Sequence, residues 1–454
     1  ERTREWVLKT AAERKIRFVR LWFTDVLGFL KSFAITVEEL EEAVSEGKGF
    51  DGSSVEGFAR IQESDVVALP DPSTFAVLPG GDDDGAVEAR MFCDVLNPDG
   101  TPYNGDPRGA LKRILKKASD LGFTYCVGPE LEYFYFKCAK GTEVLDAGGY
   151  FDLTPLDVAH DLRRETILTL EEMGIKVEYS HHEVAPSQHE IDLRYGDALT
   201  MADAAMTYRL VVKEIAMKAG VYATFMPKPL FGENGSGMHV HQSLFKGERN
   251  AFFDVSDEYH LSRTAKQFVA GLLRHSREIC SVVAQWVNSY KRLVPGYEAP
   301  VYVSWGRRNR SALVRVPMYK PGKEKATRAE FRCPDPACNP YLAFTVMLAA
   351  GLRGIAEAYE LPDAVEEDIF HMSAEERERR GIASLPGSLD EAIAETEKSM
   401  LVREALAETE KSALVRETLG DHIFGKFVAN KKIEWEAYRS HVSGFELDRY
   451  LAIL

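Results

Sequence analysis

The chain has 454 residues, 45% of them hydrophobic and 10% aromatic; that is more than one hydrophobic core organises, and too apolar for a disordered or low-complexity protein. Two domains are therefore expected. With 56 basic against 71 acidic residues the net charge is −15, which argues against nucleic acid or an anionic membrane as the main partner.

In chain order, residues 1–102 read as one domain and 103–454 as a second. After a charged, amphipathic N-terminal helix, unlike a signal peptide, Arg17 to Asp25 and Lys31 to Thr36 read as strands joined by the Leu27-Gly28 turn. A helix is expected from Val37 to Ser45, then a glycine-rich loop over Gly49 to Ser54, and a strand from Met91 to Leu96. Asn97-Pro98-Asp99-Gly100 is a turn, and Asp106-Pro107 caps a helix from Arg108 to Leu121. Long helices (Pro155 to Met173, Met201 to Ala219, Leu261 to Trp286) then alternate with short strands, the pattern of an α+β domain with a mostly antiparallel sheet backed by helices. The uncharged stretch Tyr341 to Leu352 is too short to cross a bilayer. Six cysteines sit singly, without a Cys-x-x-Cys pair; no zinc site or disulfide framework is expected, and a reducing cytoplasm is the expected compartment. Ala394 to Leu406 recurs as Ala407 to Leu419, identical at 11 of 13 positions. Such a shift turns a helix face by roughly 220°, so one copy is expected to face solvent or loop out.

Four clusters carry chemistry. Glu130 and Glu132 in Gly128–Phe134 share one face of an apolar strand, where adjacent carboxylates repel unless protonated, hydrogen-bonded or bound to cations; a plain exposed strand face is the alternative. His181–Asp192 reads strand, Pro-Ser turn, strand, and offers Glu183 and Glu190 from opposite arms. In Asn234–His241, glycines lead into a strand that places His239 and His241 on one face. Glu330 alternates in Arg328–Arg332, and arginines crowd upstream at Arg292, Arg307, Arg308, Arg310 and Arg315. Five carboxylates and one imidazole form the oxygen-rich set that Mg²⁺ or Mn²⁺ prefers over zinc. The arginines suit a nucleotide triphosphate, although neither a Walker A sequence nor a Gly-x-Gly-x-x-Gly turn is present. From the residues alone this is a metal-dependent, ATP-using enzyme of unknown acceptor.

At these residues the sequence closely resembles type I glutamine synthetases, essentially end to end. The matching segments are residues 50–54, 128–134, 181–192, 223–229, 234–241, 288–300, 308–317 and 328–336. The resemblance implies an N-terminal β-grasp domain, a larger catalytic domain and a dodecamer of two stacked hexamers with active sites between subunits. It implies one ion held by Glu132, Glu183 and Glu190 and another by Glu130, His239 and Glu330. It implies ATP contacts from Glu178, His241, Ser243, Arg315, Lys325 and Arg328, and glutamate contacts from Asn234, Gly235, Arg292 and Arg332. Arg310 would lie near the transferring phosphate, Glu298 in a flap that closes the site, and ammonium in a pocket of Asp51, Ser54, Tyr150 and Glu183, with Asp51 as proton acceptor. The implied reaction joins ammonia to the γ-carboxylate of L-glutamate through γ-glutamyl phosphate. Some family members are adenylylated on a tyrosine; the matching stretch, Asp368 to Met372, has Phe370 there, so that switch is expected to be absent. Arg60 resembles the arginine linked to glutamine feedback in the subtype without adenylylation. The nearest alternative keeps this chemistry but uses an amine acceptor, giving γ-glutamylamides; Phe23–Gly28 and Glu434–Arg439 fit that branch too, whereas Asp51, Tyr150 and Glu298 favour ammonium. A non-catalytic relative is the alternative from another class, and it would be expected to lack metal ligands.

Overall fold

A computed structural model describes residues 2–57, 65–79, 86–402 and 421–445. Arg60, and most of the duplicated segment, lie outside the described residues.

The N-terminal sheet is built from β1 (Ile16–Thr24), β2 (Leu30–Thr36), β3 (Lys48–Asp51), β4 (Asp65–Pro70), β5 (Ala76–Val77) and β6 (Val87–Leu96), in the order β2-β1-β6-β4-β3 with β5 on β6. β1 and β6 run parallel and their other neighbours antiparallel, the arrangement of a β-grasp. Helices α1 (Arg4–Glu13) and α2 (Leu40–Glu46) close a small core over it, in which Val7, Leu21, Leu40, Phe75 and Met91 are buried. The stretch expected as one helix from Val37 begins as a 3-10 turn, Val37–Glu39, before α2. Gly49 to Asp51, expected in a loop, instead pair with β4, because Phe50 has an apolar neighbourhood of Phe23 and Phe33 to enter.

After α3 (Pro107–Asp120), the second sheet comprises β7 (Thr124–Phe136), β8 (Val177–His182), β9 (Gln188–Leu193), β10 (Gly196–Asp197), β11 (Tyr222–Thr224), β12 (Met238–Lys246), β13 (Arg249–Asn250), β14 (Tyr302–Gly306), β15 (Ala312–Arg315) and β16 (Ala329–Phe331). Its main path, β14-β15-β16-β12-β7-β9-β8, is antiparallel except for β14–β15. The helices are α4 (His160–Glu172), α5 (Ala198–Lys218), α6 (Arg263–Val283), α7 (Ser289–Arg292), α8 (Pro340–Ala356), α9 (Ala374–Arg379), α10 (Leu389–Val402) and α11 (Asp421–Arg439). Caps move two helix starts from their expected positions. Asp197 accepts from Thr200 N at 3.0 Å and starts α5 early, while Ser262 accepts from Ala265 N at 3.1 Å and starts α6 after Leu261. α4 starts at His160, five residues beyond the expected Pro155.

The uncharged Tyr341–Leu352 lies within α8, which is buried on nearly every side and so needs no polar face. Glycines bring α6 and α8 together: a Cβ on Gly271 would sit 2.1 Å from the Ala350 carbonyl oxygen. The β1–β2 turn docks the small domain on the large one. Asn339 Nδ2 donates to the Asp25 carbonyl at 3.1 Å, Arg209 to that of Gly28 at 2.7 Å and Gln285 to that of Leu27 at 2.7 Å. Gly28 has φ +86, and a Cβ there would lie 2.8 Å from Asn339 Cα, so only glycine fits this junction.

Candidate active site

The site grows out of strand register. Residues directly paired across a sheet share a face, as do residues two apart along a strand. On β7, Glu130 is opposite His239 on β12 and Asp192 on β9; Glu132 is opposite Glu190, which is in turn opposite His181 on β8. Glu330 on β16 is opposite both His241 on β12 and Arg315 on β15. Five strands thus deliver their acidic and imidazole side chains to one surface.

Two groups result. In the first, His239 Nδ1 lies 3.6 Å from a carboxylate oxygen of Glu130 and 3.6 Å from one of Glu330. In the second, His181 stands 3.4 Å from Glu183 and 3.7 Å from Glu190. Glu130, Glu190 and Asp192 connect them, offering oxygens all within 4.8 Å of one another. The two sides differ in charge state. Burial pushes Glu132 and Glu190 well above the ordinary carboxyl range, helped by Glu183 in one case and Asp192 in the other. Burial likewise raises Asp192 to about 6. Glu330 is as deeply placed and Glu130 half-buried, yet His241 and His239 beside them, with Arg315 at Glu330, outweigh burial and hold them below that range. Carboxylates packed this closely need protons or cations between them, and oxygen donors with one imidazole are a set that Mg²⁺ or Mn²⁺ fits.

A further group, Asp146, His182 and His189, sits behind the hairpin between β8 and β9. His182 Nε2 is 3.0 Å from Asp146, Ser187 N donates to the same oxygen at 2.8 Å, and Arg163 Nη1 donates to His189 Nδ1 at 2.8 Å. The Arg163 guanidinium, paired with buried Asp157, would repel a cation here, so these groups form a hydrogen-bonded support for the Glu183–Glu190 hairpin.

Glu130, Glu132, Glu183, Glu190 and Glu330 line a cavity of about 210 Å³. Arg292, Arg310, Arg315 and Arg332 line it too, with Tyr150, Asn234, Tyr297 and Glu298, and the charges interleave: Arg315 pairs with Glu330, and Arg332 lies 3.5 Å from the same carboxylate. Arg292 is fixed by donating to the Cys333 carbonyl at 2.9 Å and the Arg332 carbonyl at 3.1 Å. Glycine is required around it: a Cβ on Gly237 would come within 2.6 Å of the Arg292 guanidinium, and one on Gly235 within 2.3 Å of the Pro227 carbonyl. Gly237 N also donates to Glu132 at 3.0 Å, and Gln188 Nε2 to the same oxygen at 2.9 Å. Glu298 takes φ +57, in the left-handed region, with its carboxylate 3.5 Å from Arg310.

Thus Glu130, Glu132, Glu183, Glu190, His239, Glu330, Tyr150, Asn234, Gly235, Arg292, Glu298, Arg310, Arg315 and Arg332 converge on one cavity. His241 stands one step back, 2.7 Å from Glu130 and 3.1 Å from Arg328 Nε. Glu178, Ser243, Lys325 and Arg328 do not line the cavity; Lys325 is exposed, 3.6 Å from Glu248. Asp51 and Ser54 are also absent from its lining. Asp51 is exposed and caps the 3-10 turn Gly52–Val55, accepting from Ser53 N at 2.9 Å. The sequence reading assigned no role to His181, Gln188 or Asp192. Asp192 carried the same signal as Glu132, a carboxylate two residues from another on an apolar strand.

Fold and cavity together define an α+β protein with a cluster of carboxylates, imidazoles and arginines, a set able to bind metal ions and anions. The family models for the glutamine synthetase β-grasp domain and catalytic domain match residues 15–98 and residues 104–409 with 401–450, respectively. The chain is 56% identical to a glutamine synthetase of Mycolicibacterium smegmatis, over 100% of both chains. It is 52% identical to one of Methanosarcina mazei, over 100% of this chain and 98% of the other. A solved structure described as a GmaS/ADP complex superposes with TM-score 0.85 at 29% identity, covering 98% of this chain and 99% of that one. The chain belongs to the glutamine synthetase family.

Proposed function

We propose that the cavity is where this chain activates glutamate, with the buried carboxylates holding divalent cations, the arginines holding the anionic substrates, and a neighbouring chain completing the pocket. The activity is ATP-dependent glutamine synthesis: ammonia is joined to the γ-carboxylate of L-glutamate, giving glutamine, ADP and phosphate through γ-glutamyl phosphate. The family is ATP-dependent and metal-requiring in general. The observation that carries the residue assignments is the convergence of Glu130, Glu132, Glu183, Glu190 and Glu330 with Arg292, Arg310, Arg315 and Arg332 on one small cavity.

Glutamate is anchored by Arg292 and Arg332, with Asn234 and Gly235 at its amino-acid end. Its γ-carboxylate attacks the γ-phosphate of ATP, and repulsion between these two anions is the main barrier. Glu130, His239 and Glu330 would hold one Mg²⁺ or Mn²⁺ and Glu132, Glu183 and Glu190 another, and these ions would supply charge neutralisation. Arg310 and Arg315 do the same from the protein. Glu178, His241, Ser243, Lys325 and Arg328 serve the nucleotide. Glu298 closes over the acyl phosphate and keeps water from it. Ammonium sits near Tyr150 and Glu183, and Asp51 and Ser54 complete that pocket from the neighbouring subunit, where Asp51 takes the proton. Their position outside their own chain's cavity supports this intersubunit arrangement; the proposed assembly is a dodecamer of two hexamers. Phe370, half-buried against Tyr302, offers no hydroxyl for adenylylation, and Arg60 is proposed to report feedback by glutamine. All six cysteines are free thiols, which supports a cytoplasmic setting; among the described residues no helix is long and apolar enough to cross a membrane.

Phosphate release from ATP with glutamate and Mg²⁺ or Mn²⁺, comparing ammonium with putrescine, spermine and ethylamine, tests the acceptor. Ammonium-dependent release that yields glutamine is expected. Activity with an amine and not with ammonium would overturn it.

A further inference from the structure

The turn that carries Asp51 is held from a distant part of the chain. From Asp51 the backbone runs through the short 3-10 turn Gly52–Val55 to Glu56 and Gly57. Val55 is buried, and its carbonyl accepts from Val26 N at 2.9 Å, which ties the turn to its own domain. Glu56 is buried as well, and its partners come mostly from α11. Lys426 Nζ donates to one carboxylate oxygen at 2.6 Å, and His422 Nε2 lies 3.3 Å from the other. Asn430 Nδ2 donates to the Glu56 backbone carbonyl at 3.0 Å, and Tyr103 OH donates to its carboxylate at 3.2 Å. The helix is itself anchored: Ile423, Phe424 and Phe427 are buried in the core of the catalytic domain. A rigid body thus grips the chain five residues beyond an exposed carboxylate that has no place in its own cavity.

We propose that Glu56 is a positioning residue for Asp51: through Lys426 and Asn430, α11 holds the Asp51 turn at the orientation from which it reaches the neighbouring subunit's cavity. This rests on the reading that Asp51 takes the proton from ammonium. A half-buried ion pair backed by two further hydrogen bonds fixes direction better than a surface contact, because it is poorly screened and held from several sides. A base displaced by a fraction of an ångström loses proton-transfer efficiency steeply. The coupling also joins the acceptor step to the C-terminal helix, which follows the duplicated segment. Slippage there would be felt at a neighbour's site without touching the carboxylates on the sheet.

The test exploits acceptor chemistry. Ammonium must lose a proton before it attacks, whereas hydroxylamine is uncharged at neutral pH and attacks the acyl phosphate without that help. Full-length Glu56→Gln and Lys426→Met proteins are assayed with saturating ATP and glutamate against both acceptors, beside Asp51→Asn and Lys426→Arg. The expected result is a fall of about tenfold or more in kcat/KM for ammonium in Glu56→Gln and Lys426→Met, with hydroxylamine turnover within about twofold of the parent. Asp51→Asn should show the same acceptor split and Lys426→Arg should largely restore ammonium use. Parallel loss of both acceptors, no loss of either, or failure of both clamp variants to fold would overturn the proposal, since each makes the contact structural or idle. If Asp51→Asn splits the acceptors and Glu56→Gln does not, the clamp alone is refuted. If Asp51→Asn treats both acceptors alike, the proton-acceptor reading falls and the clamp with it.

Discussion

The two halves of the carboxylate surface are predicted to bind their ions with different pH dependence. Glu132 and Glu190 are pushed well above the ordinary carboxyl range by burial and by their acidic neighbours, and Asp192 titrates at about 6. In metal-free protein these groups hold protons that an incoming cation has to displace. Glu130 and Glu330 are ionised beforehand, chiefly by His241 with Arg315 at Glu330, and burial and Arg332 hold His239 below its ordinary range, so at neutral pH it is uncharged and ready to coordinate. The sign follows from linkage. Raising the pH towards the elevated values strips protons from the Glu132–Glu190 side and strengthens binding there, by about tenfold, or about 1.4 kcal/mol, per pH unit for each proton displaced. On the His239 side the dependence is weaker over the same window, because Glu130 and Glu330 are already ionised. Calorimetric titration of chelator-stripped protein with Mn²⁺, in buffers of different ionisation enthalpy from about pH 5.5 to about pH 7.5, counts the protons released by each class of site. A strongly proton-releasing, pH-dependent class and a more weakly dependent one are expected, and Glu132→Gln should flatten the first. Equal slopes for both classes, or no proton release at all, would refute the charge assignment.

Two stability predictions follow from the same packing. Glu190 keeps its proton more readily in the folded apoprotein than in the unfolded chain, so its stabilising contribution is present at low pH and lost as pH rises through its elevated value. Glu190→Gln should therefore melt higher than the parent in chelator, by about 1–3 kcal/mol at alkaline pH and less at acid pH, while losing metal-dependent activity. A lower melting temperature at every pH would contradict this. Arg163 and Asp157 are 4% and 3% exposed and pair through both guanidinium nitrogens, so Arg163→Met leaves a buried charge behind. A cost of about 3–5 kcal/mol is expected in denaturant unfolding, with weakened metal binding because His189 and the Glu190 hairpin lose their support; a cost below about 1 kcal/mol would sink that reading.

Much of the site is legible along the chain because its chemistry is periodic. Alternation on a strand puts Glu130 beside Glu132 and His239 beside His241, whatever the rest of the molecule does. The helix starts were less legible, since Asp197 and Ser262 act as caps only once the chain ahead of them turns as it does. Glu132 shows a subtler limit. Its carboxylate is held by Gln188 and Gly237, so it braces the site as well as facing it, and its spacing from Glu130 gives no hint of that.

Residue identity and local period by themselves determined the fold class and the donor types. Only the tertiary structure decided which groups face one another: that Glu130 meets both His239 and Asp192, that an arginine supports the hairpin where a third ion might have been sought, and that Glu56 is gripped by Lys426 from 370 positions away. Register and long-range contact are set by the whole core closing at once, and no short stretch of sequence contains both sides of such a pairing.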